Sequence, residues 1–90
     1  MAGEKEKILV NFKKAHSLIA KIINMAEADE YCVYIMQHNL AVMGLLKSAQ
    51  QMLMERHLNS CFKSAMATGN EKKKQKMINE ILQVTKLKKI

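Results

Sequence analysis

A stretch of about 40 residues in the middle of the chain, from Asp29 to Thr68, contains no proline and no cluster of turn-forming residues that would end a helix. Proline is absent from the whole sequence, and glycine occurs only at positions 3, 44 and 69. No segment alternates apolar and polar residues as a half-buried strand does. The sequence therefore predicts an all-α protein, a protomer of three helices with one very long central helix.

Apolar residues and capping residues predict where the three helices lie. Helix one carries an apolar stripe whose members are spaced alternately by four and three residues: Ile8, Phe12, Ala15, Ile19, Ile22 and Ala26. Asp29 is the best N-cap for helix two, Gly69 suits its C-terminus, and Asn70 suits the N-cap of helix three. The predicted bounds are about 4–27 for helix one, about 29–68 for helix two and about 71–86 for helix three. Because no linker or repeat divides the sequence, we expect residues 1–90 to form a single helical domain.

The charge balance favours an anionic partner. Lysine and arginine number 15 against 8 aspartates and glutamates, which gives a net charge of +7. Such a surface attracts polyanions, of which nucleic acid is the commonest in a cell. Arg56 is the only arginine, so the positive charges predict attraction to phosphate more than reading of bases. A basic surface that only maintains solubility is an equal alternative at this point.

Other classes of protein lack support in the sequence. No run approaches the roughly 20 apolar residues that span a bilayer, and the first residues lack the apolar region of a signal peptide. We therefore expect a cytoplasmic protein with no membrane partner. No glycine-rich phosphate loop or nucleophile elbow is present, so the protein is predicted not to be an enzyme.

One histidine and two cysteines form a candidate metal site. His57 and Cys61 are four positions apart, which places them on one face of a helix. Cys32 lies about 25 residues before His57, a distance of roughly 37 Å along a continuous helix. A chain of this size buries little of its surface alone, so association is expected. In an antiparallel helical-bundle dimer, Cys32 of one protomer would lie beside His57 and Cys61 of its partner, and symmetry would make two such sites.

The three side chains indicate a soft metal ion, although other roles remain open. Two thiolates and one imidazole suit Cu(I) better than Mg²⁺, Ca²⁺ or Mn²⁺. A structural zinc site would require a fourth ligand, and none has a suitable spacing. Alternatively, Cys32 and Cys61 are small buried hydrophobic residues without a metal. In a third interpretation they form a disulfide or persulfide bridge between protomers, which would make the protein a sensor of thiol state.

The segments EADEYC (27–32) and ERHLNSC (55–61) resemble the CsoR family of copper-sensing repressors and its relatives that respond to nickel, cobalt, formaldehyde or reactive sulfur. The resemblance implies all-helical dimers that pair into tetramers, bind operator DNA without metal and release it when metal binds. It also implies that the metal ligands are Cys32, His57 and Cys61, and that Tyr31 lies around the metal. The glutamate that accompanies this tyrosine in the family is out of register here, and Glu80 is the nearest candidate.

The DNA-facing positions depart further from the family. An arginine-rich segment is expected on helix one and another arginine on helix two, but this chain has other residues there: Asn11, His16, Ser17 and Ser48. Lysines keep positive charge on the same helices, and we take these as the candidate DNA contacts: Lys13, Lys14, Lys21 and Lys47. Because lysine grips phosphate as a point charge, the resemblance implies DNA affinity with altered sequence specificity.

Together these features predict a Cu(I)-responsive transcriptional repressor that releases its operator on metal binding. The expected partners are operator DNA and further copies of the chain, as a homodimer or homotetramer. The expected ligand is Cu(I) or another soft or borderline transition metal. Two alternatives on the same fold are a non-regulatory metal-binding oligomer with weakened DNA recognition and a sensor of thiol or persulfide state.

Overall fold

A computed structural model describes residues 2–85 of the chain, and these residues are helical apart from two short turns. The helices are α1 (Ala2–Glu27), α2 (Cys32–His57), α3 (Lys63–Met66) and α4 (Glu71–Thr85), and a π-helical turn (Leu58–Phe62) joins α2 to α3. The described residues contain no strand, so the prediction of an all-α protein is confirmed. The long central helix is also confirmed, although it begins at Cys32 rather than near residue 29 and ends at Met66 rather than near residue 68.

The chain divides into two compact units, Met1–Glu55 and Arg56–Ile90. The expectation of a single domain over residues 1–90 stays a prediction. Helix three was expected to reach residue 86, which lies outside the described residues. Within the described residues, no helix is both long enough and apolar enough to cross a bilayer.

The first unit contains α1 and most of α2, which run antiparallel. Gly3 and Met52 line one groove between the two helices, and Leu18 and Leu45 line another. The seam is formed by residues seven positions apart, the spacing of a coiled-coil core. Its buried members are Ile8 and Ala15 on α1 and Val42 and Ala49 on α2. The small alanines let the two backbones approach closely.

The predicted stripe of helix one is only partly buried in this unit. Ile8 and Ala15 are buried, but Phe12 is 40% exposed and Ile19 is 41% exposed. On α2, Leu40 is 65% exposed. The antiparallel pair therefore buries only part of its apolar surface and leaves apolar side chains of both helices uncovered.

The turn between α1 and α2 is a Schellman motif, which ends the first helix. The Asp29 N–H donates to the Ala26 carbonyl at 3.1 Å, and the Glu30 N–H donates to the Met25 carbonyl at 3.0 Å. Asp29 has a φ of 53°, in the left-handed region. The prediction that Asp29 caps the start of helix two is therefore wrong. An N-cap needs an extended conformation, whereas this aspartate ends α1, and α2 begins at Cys32.

The second unit contains the π-helical turn, α3 and α4. Asn70 caps α4 as predicted, because its Oδ1 accepts a hydrogen bond from the Lys73 N–H at 3.1 Å. The Thr68 hydroxyl donates to the Ala65 carbonyl at 2.7 Å at the end of α3. Gly69 follows the end of the helix, as predicted, but no described glycine has the positive φ that is typical of a glycine cap. The hydrogen bond from the Thr68 hydroxyl satisfies a backbone carbonyl at the end of α3 instead.

Candidate metal centre

Cys32 is presented at the start of a helix. It is the first residue of α2, and its thiol is free and exposed. The preceding carbonyl, that of Tyr31, accepts hydrogen bonds from the Tyr34 N–H at 3.0 Å and the Ile35 N–H at 3.3 Å. These bonds close the first turn and hold the Cys32 backbone. The thiol therefore projects from an ordered helix terminus and has no disulfide partner in the chain.

His57 and Cys61 lie where α2 passes into the π-helical turn. His57 is the last residue of α2 and is half-buried, and its side chain makes no capping hydrogen bond to the turn. Cys61 lies within the turn, with a free and exposed thiol. The Ser60 hydroxyl lies 3.9 Å from the Cys61 sulfur. One turn of the chain thus supplies an imidazole and a thiol. Neither side chain makes a strong hydrogen bond within the turn.

The donor chemistry fits a soft metal ion. The set offers two thiol sulfurs and one imidazole nitrogen, which suit Cu(I) in a three-coordinate arrangement. Among residues 2–85, however, no three histidine, cysteine, aspartate or glutamate side chains come together in one protomer as a group that could hold a metal ion. Cys32 and His57 stand at opposite ends of α2, a helix of 26 residues. The assignment of these three residues as ligands stays a prediction.

Tyr31 and Glu80, the predicted neighbours of the metal, are both accessible. The Tyr31 ring is 65% exposed and packs edge-to-face on Tyr34, with ring centres 5.4 Å apart. Glu80 is exposed on α4 and shares a shallow groove with Lys76 and Asn79. Their roles around a metal remain predictions.

The candidate DNA-contacting lysines are free to meet phosphate. All four are exposed: Lys13, Lys14, Lys21 and Lys47. Lys13 and Lys14 line a groove with Ser17 between α1 and α2. In the described part of the chain the one ion pair joins Lys74 to Glu71, at 3.5 Å, so acidic side chains do not neutralise these lysines.

Asn11 has a structural role that the sequence did not reveal. Its Nδ2 donates to the Leu45 carbonyl at 3.3 Å, from α1 to α2. Ser48 and Asn11 line the same groove. Where the family resemblance implied arginines that face DNA, this chain therefore has two short polar residues, and one of them ties the helices together. The partner carbonyl is distant in sequence, so no local pattern could have indicated it.

The π-helical turn was also missed. Leu58–Phe62 contains neither proline nor glycine, and the sequence reads as ordinary α-helix there. No residue type in this segment distinguishes it from the ordinary α-helix on either side, so the sequence offered no signal of the turn.

Comparisons with known proteins identify the family of the chain. The family model of the metal-sensitive transcriptional repressors matches residues 4–86. The copper-sensing transcriptional repressor CsoR of Mycobacterium ulcerans (strain Agy99) is 31% identical over 86 residues, which cover 96% of this chain and 71% of the relative. The repressor of the same name from Bacillus subtilis (strain 168) is 32% identical over 83 residues, covering 92% of this chain and 79% of the relative.

A similar repressor from Mycobacterium tuberculosis (strain ATCC 25618 / H37Rv) is 29% identical over 86 residues. The family is regulatory, which confirms the prediction that the chain is not an enzyme. The matched range, residues 4–86, extends across both compact units. This chain belongs to the family of metal-sensitive transcriptional repressors.

Proposed function

We propose that the protein is a Cu(I)-responsive repressor that binds operator DNA when metal-free and releases it when Cu(I) binds. The observation that carries the proposal is the donor set, two free thiols and a half-buried imidazole on helix ends. The names of the relatives, which are copper-sensing repressors, point to the same ion.

The ligands are divided between protomers in this proposal. Cys32 of one chain joins His57 and Cys61 of a second chain, because the two ends of a helix of 26 residues cannot converge on one ion. An antiparallel arrangement of two α2 helices brings opposite ends together and creates two equal sites. Gly44 lies near the midpoint of the three ligands in sequence, and a Cβ built on it would meet nothing within 4 Å beyond its own helical turn. That surface is open to a second helix.

The uncovered apolar surface of the first unit supports self-association. Phe12, Ile19 and Leu40 are each 40% or more exposed, together with several other large apolar side chains of this unit, and such an extensive exposed apolar surface is typical of an association site. A homodimer covers this apolar surface, and a homotetramer forms if two dimers pair. We assign the protein to the cytoplasm, where operator DNA is accessible.

The lysines of α1 and α2 provide the contact with DNA. They are point charges, so they supply affinity for phosphate and position the protein, whereas Asn11 and Ser48 cannot make the forked contacts that arginine makes with guanine. Release requires that the ligands bind Cu(I) more tightly in the DNA-free assembly than in the DNA-bound one.

Chelator competition tests the metal centre. Cu(I) is titrated into the wild-type protein and into Cys61→Ala and His57→Ala variants, each against a competing Cu(I) chelator. Removing one of three ligands is expected to lower the affinity at least tenfold, by analogy with the 10- to 100-fold losses seen when only supporting residues are changed.

His38→Ala is the matched control for His57→Ala. His38 lies on the same helix, and its Nδ1 is 2.8 Å from the Tyr34 carbonyl, outside the proposed ligand set. The His38→Ala variant should bind Cu(I) with the same affinity as the wild type. Equal affinity in the wild type and in Cys61→Ala would exclude the proposed centre. A DNA fragment from upstream of the gene, bound equally with and without Cu(I), would exclude the regulatory coupling.

A second candidate is a sensor of thiol state, which the exposure of both cysteines favours. In that case Cys32 and Cys61 of neighbouring protomers would become bridged by oxidation or by reactive sulfur. Intact-mass spectrometry after polysulfide or peroxide treatment distinguishes this candidate. Thiols that remain unbridged throughout would remove it.

A further inference from the structure

The π-helical turn coincides with the proposed metal motif. His57 immediately precedes the turn and Cys61 lies inside it. Backbone hydrogen bonds in a π-helix join residues five apart instead of four, and such turns occur mostly as single turns inside α-helices, frequently at functional sites. The turn therefore determines the direction in which the Cys61 sulfur points relative to the His57 ring.

Ser60 occupies the position that can hold this turn. Its hydroxyl donates to the Arg56 carbonyl at 2.6 Å, four residues back and in the last turn of α2. A side chain that bonds into the backbone ladder is a recognised cause of helix irregularity. The other common causes, proline and glycine, are absent from Leu58–Phe62.

The same hydroxyl also lies beside the sulfur. Ser60 Oγ is 3.9 Å from Cys61 Sγ, but a hydroxyl has one proton, and the shorter contact with the Arg56 carbonyl takes it. The oxygen therefore stays next to Cys61 while its proton is committed to the backbone. Ser60 is exposed and contributes nothing to a buried core, so its effect is confined to the turn.

We propose that Ser60 is a positioning residue of the metal centre: its bond to the Arg56 carbonyl holds the π-helical turn, and the turn presents Cys61 in register with His57. The inference rests on the proposed function, since it concerns the geometry of that centre. Ser60 itself does not touch the metal. Its contribution is to keep the imidazole and the thiol preorganised in the metal-free protein.

The test compares Ser60→Ala with two matched variants in the full-length protein. Ser60→Ala removes the hydroxyl and is expected to lower Cu(I) affinity about two- to tenfold, the range that corresponds to one net hydrogen bond. Ser60→Thr keeps a hydroxyl that can make the same bond and should restore affinity to within about twofold of wild type. Ser64→Ala makes the same change one residue into α3, and should bind as the wild type does.

Two further readouts separate positioning from folding. Alanine has the highest helix propensity, so Ser60→Ala should keep its helical content and melting temperature while amide hydrogen exchange quickens over residues 57–62. The ultraviolet band of Cu(I)–thiolate coordination should also change shape. Wild-type affinity in Ser60→Ala, an equal loss in Ser64→Ala or no rescue by Ser60→Thr would overturn the inference. If Cys61→Ala also binds Cu(I) normally, the proposed function fails; if only Ser60→Ala does, this inference alone fails.

Discussion

Asp29 has a positive φ, 53°, which no other described non-glycine residue shares. Left-handed backbone costs roughly 1–2 kcal/mol in L-residues other than glycine, and aspartate tolerates it better than most. Its negative charge also lies at the C-terminal end of α1, where the helix dipole disfavours an anion. Aspartate was expected to start helix two because it is a good N-cap. Since aspartate suits both a left-handed turn and an N-cap, residue type alone could not distinguish the end of one helix from the start of the next.

Asp29→Gly is expected to stabilise the protein by about 0.5–1 kcal/mol, because glycine adopts this conformation without a steric penalty and removes the unfavourable charge. The midpoint of urea unfolding should rise accordingly. Ala28→Gly is the control one residue earlier, where φ is negative, and it should lower stability by a similar amount because of the added freedom of the unfolded chain. A lower midpoint for Asp29→Gly than for wild type would contradict the assignment of the left-handed turn.

At the scale of the elements, a structural feature could be predicted when the residues that cause it lie close together in the sequence. The cap of α4 was predictable, because Asn70 and the N–H that it accepts from are three residues apart. The helix class and the length of the central helix followed from the absence of breakers. The π-helical turn did not follow, since Leu58–Phe62 contains neither proline nor glycine and its spacing is that of an ordinary α-helix. For the same reason, the pairing of His57 and Cys61 was predictable but their exact geometry was not.

Asn70→Ala should destabilise α4 by about 1 kcal/mol, because the Lys73 N–H loses its partner at the helix start. Circular dichroism during urea unfolding measures the change. Asn79→Ala is the matched control in the middle of the same helix. Asn79 makes only an exposed bond with Gln75, at 3.0 Å, and the substitution should leave stability unchanged or slightly higher. Equal losses in the two variants would show that Asn70 has no capping role.

At the scale of the whole molecule, the candidate ligands and the exposed apolar surface both call for a second copy of the chain. In the proposed dimer a second copy completes the metal centre and covers side chains that one protomer leaves exposed, such as Leu40 at 65%. The sequence predicted association through the separation of Cys32 from His57 and the small size of the chain. The sequence could not define which apolar side chains remain exposed, since that depends on how α1 packs on α2.

Leu40→Glu should shift the protein from oligomer to monomer, because a carboxylate would be buried without a partner in the association surface. Analytical ultracentrifugation measures the shift, and Cu(I) affinity should fall in parallel because the ligands come from two chains. Gln37→Glu adds the same charge at an exposed polar position of α2, on a different face of the helix from Cys32 and His57, and should retain both association and Cu(I) binding. A monomeric Leu40→Glu variant that binds Cu(I) at full affinity would show that the centre lies within one chain.

The exposed apolar side chains of α1 and α2 link the stability of the protein to its concentration in the cell. When folding and association are coupled, dilution alone unfolds a protein, so its melting temperature rises with its concentration. We expect the number of copies in a cell to set both how much folded protein exists and how many sensing centres are assembled. Gene dosage would thereby tune the threshold of the response without any change in the amino-acid sequence.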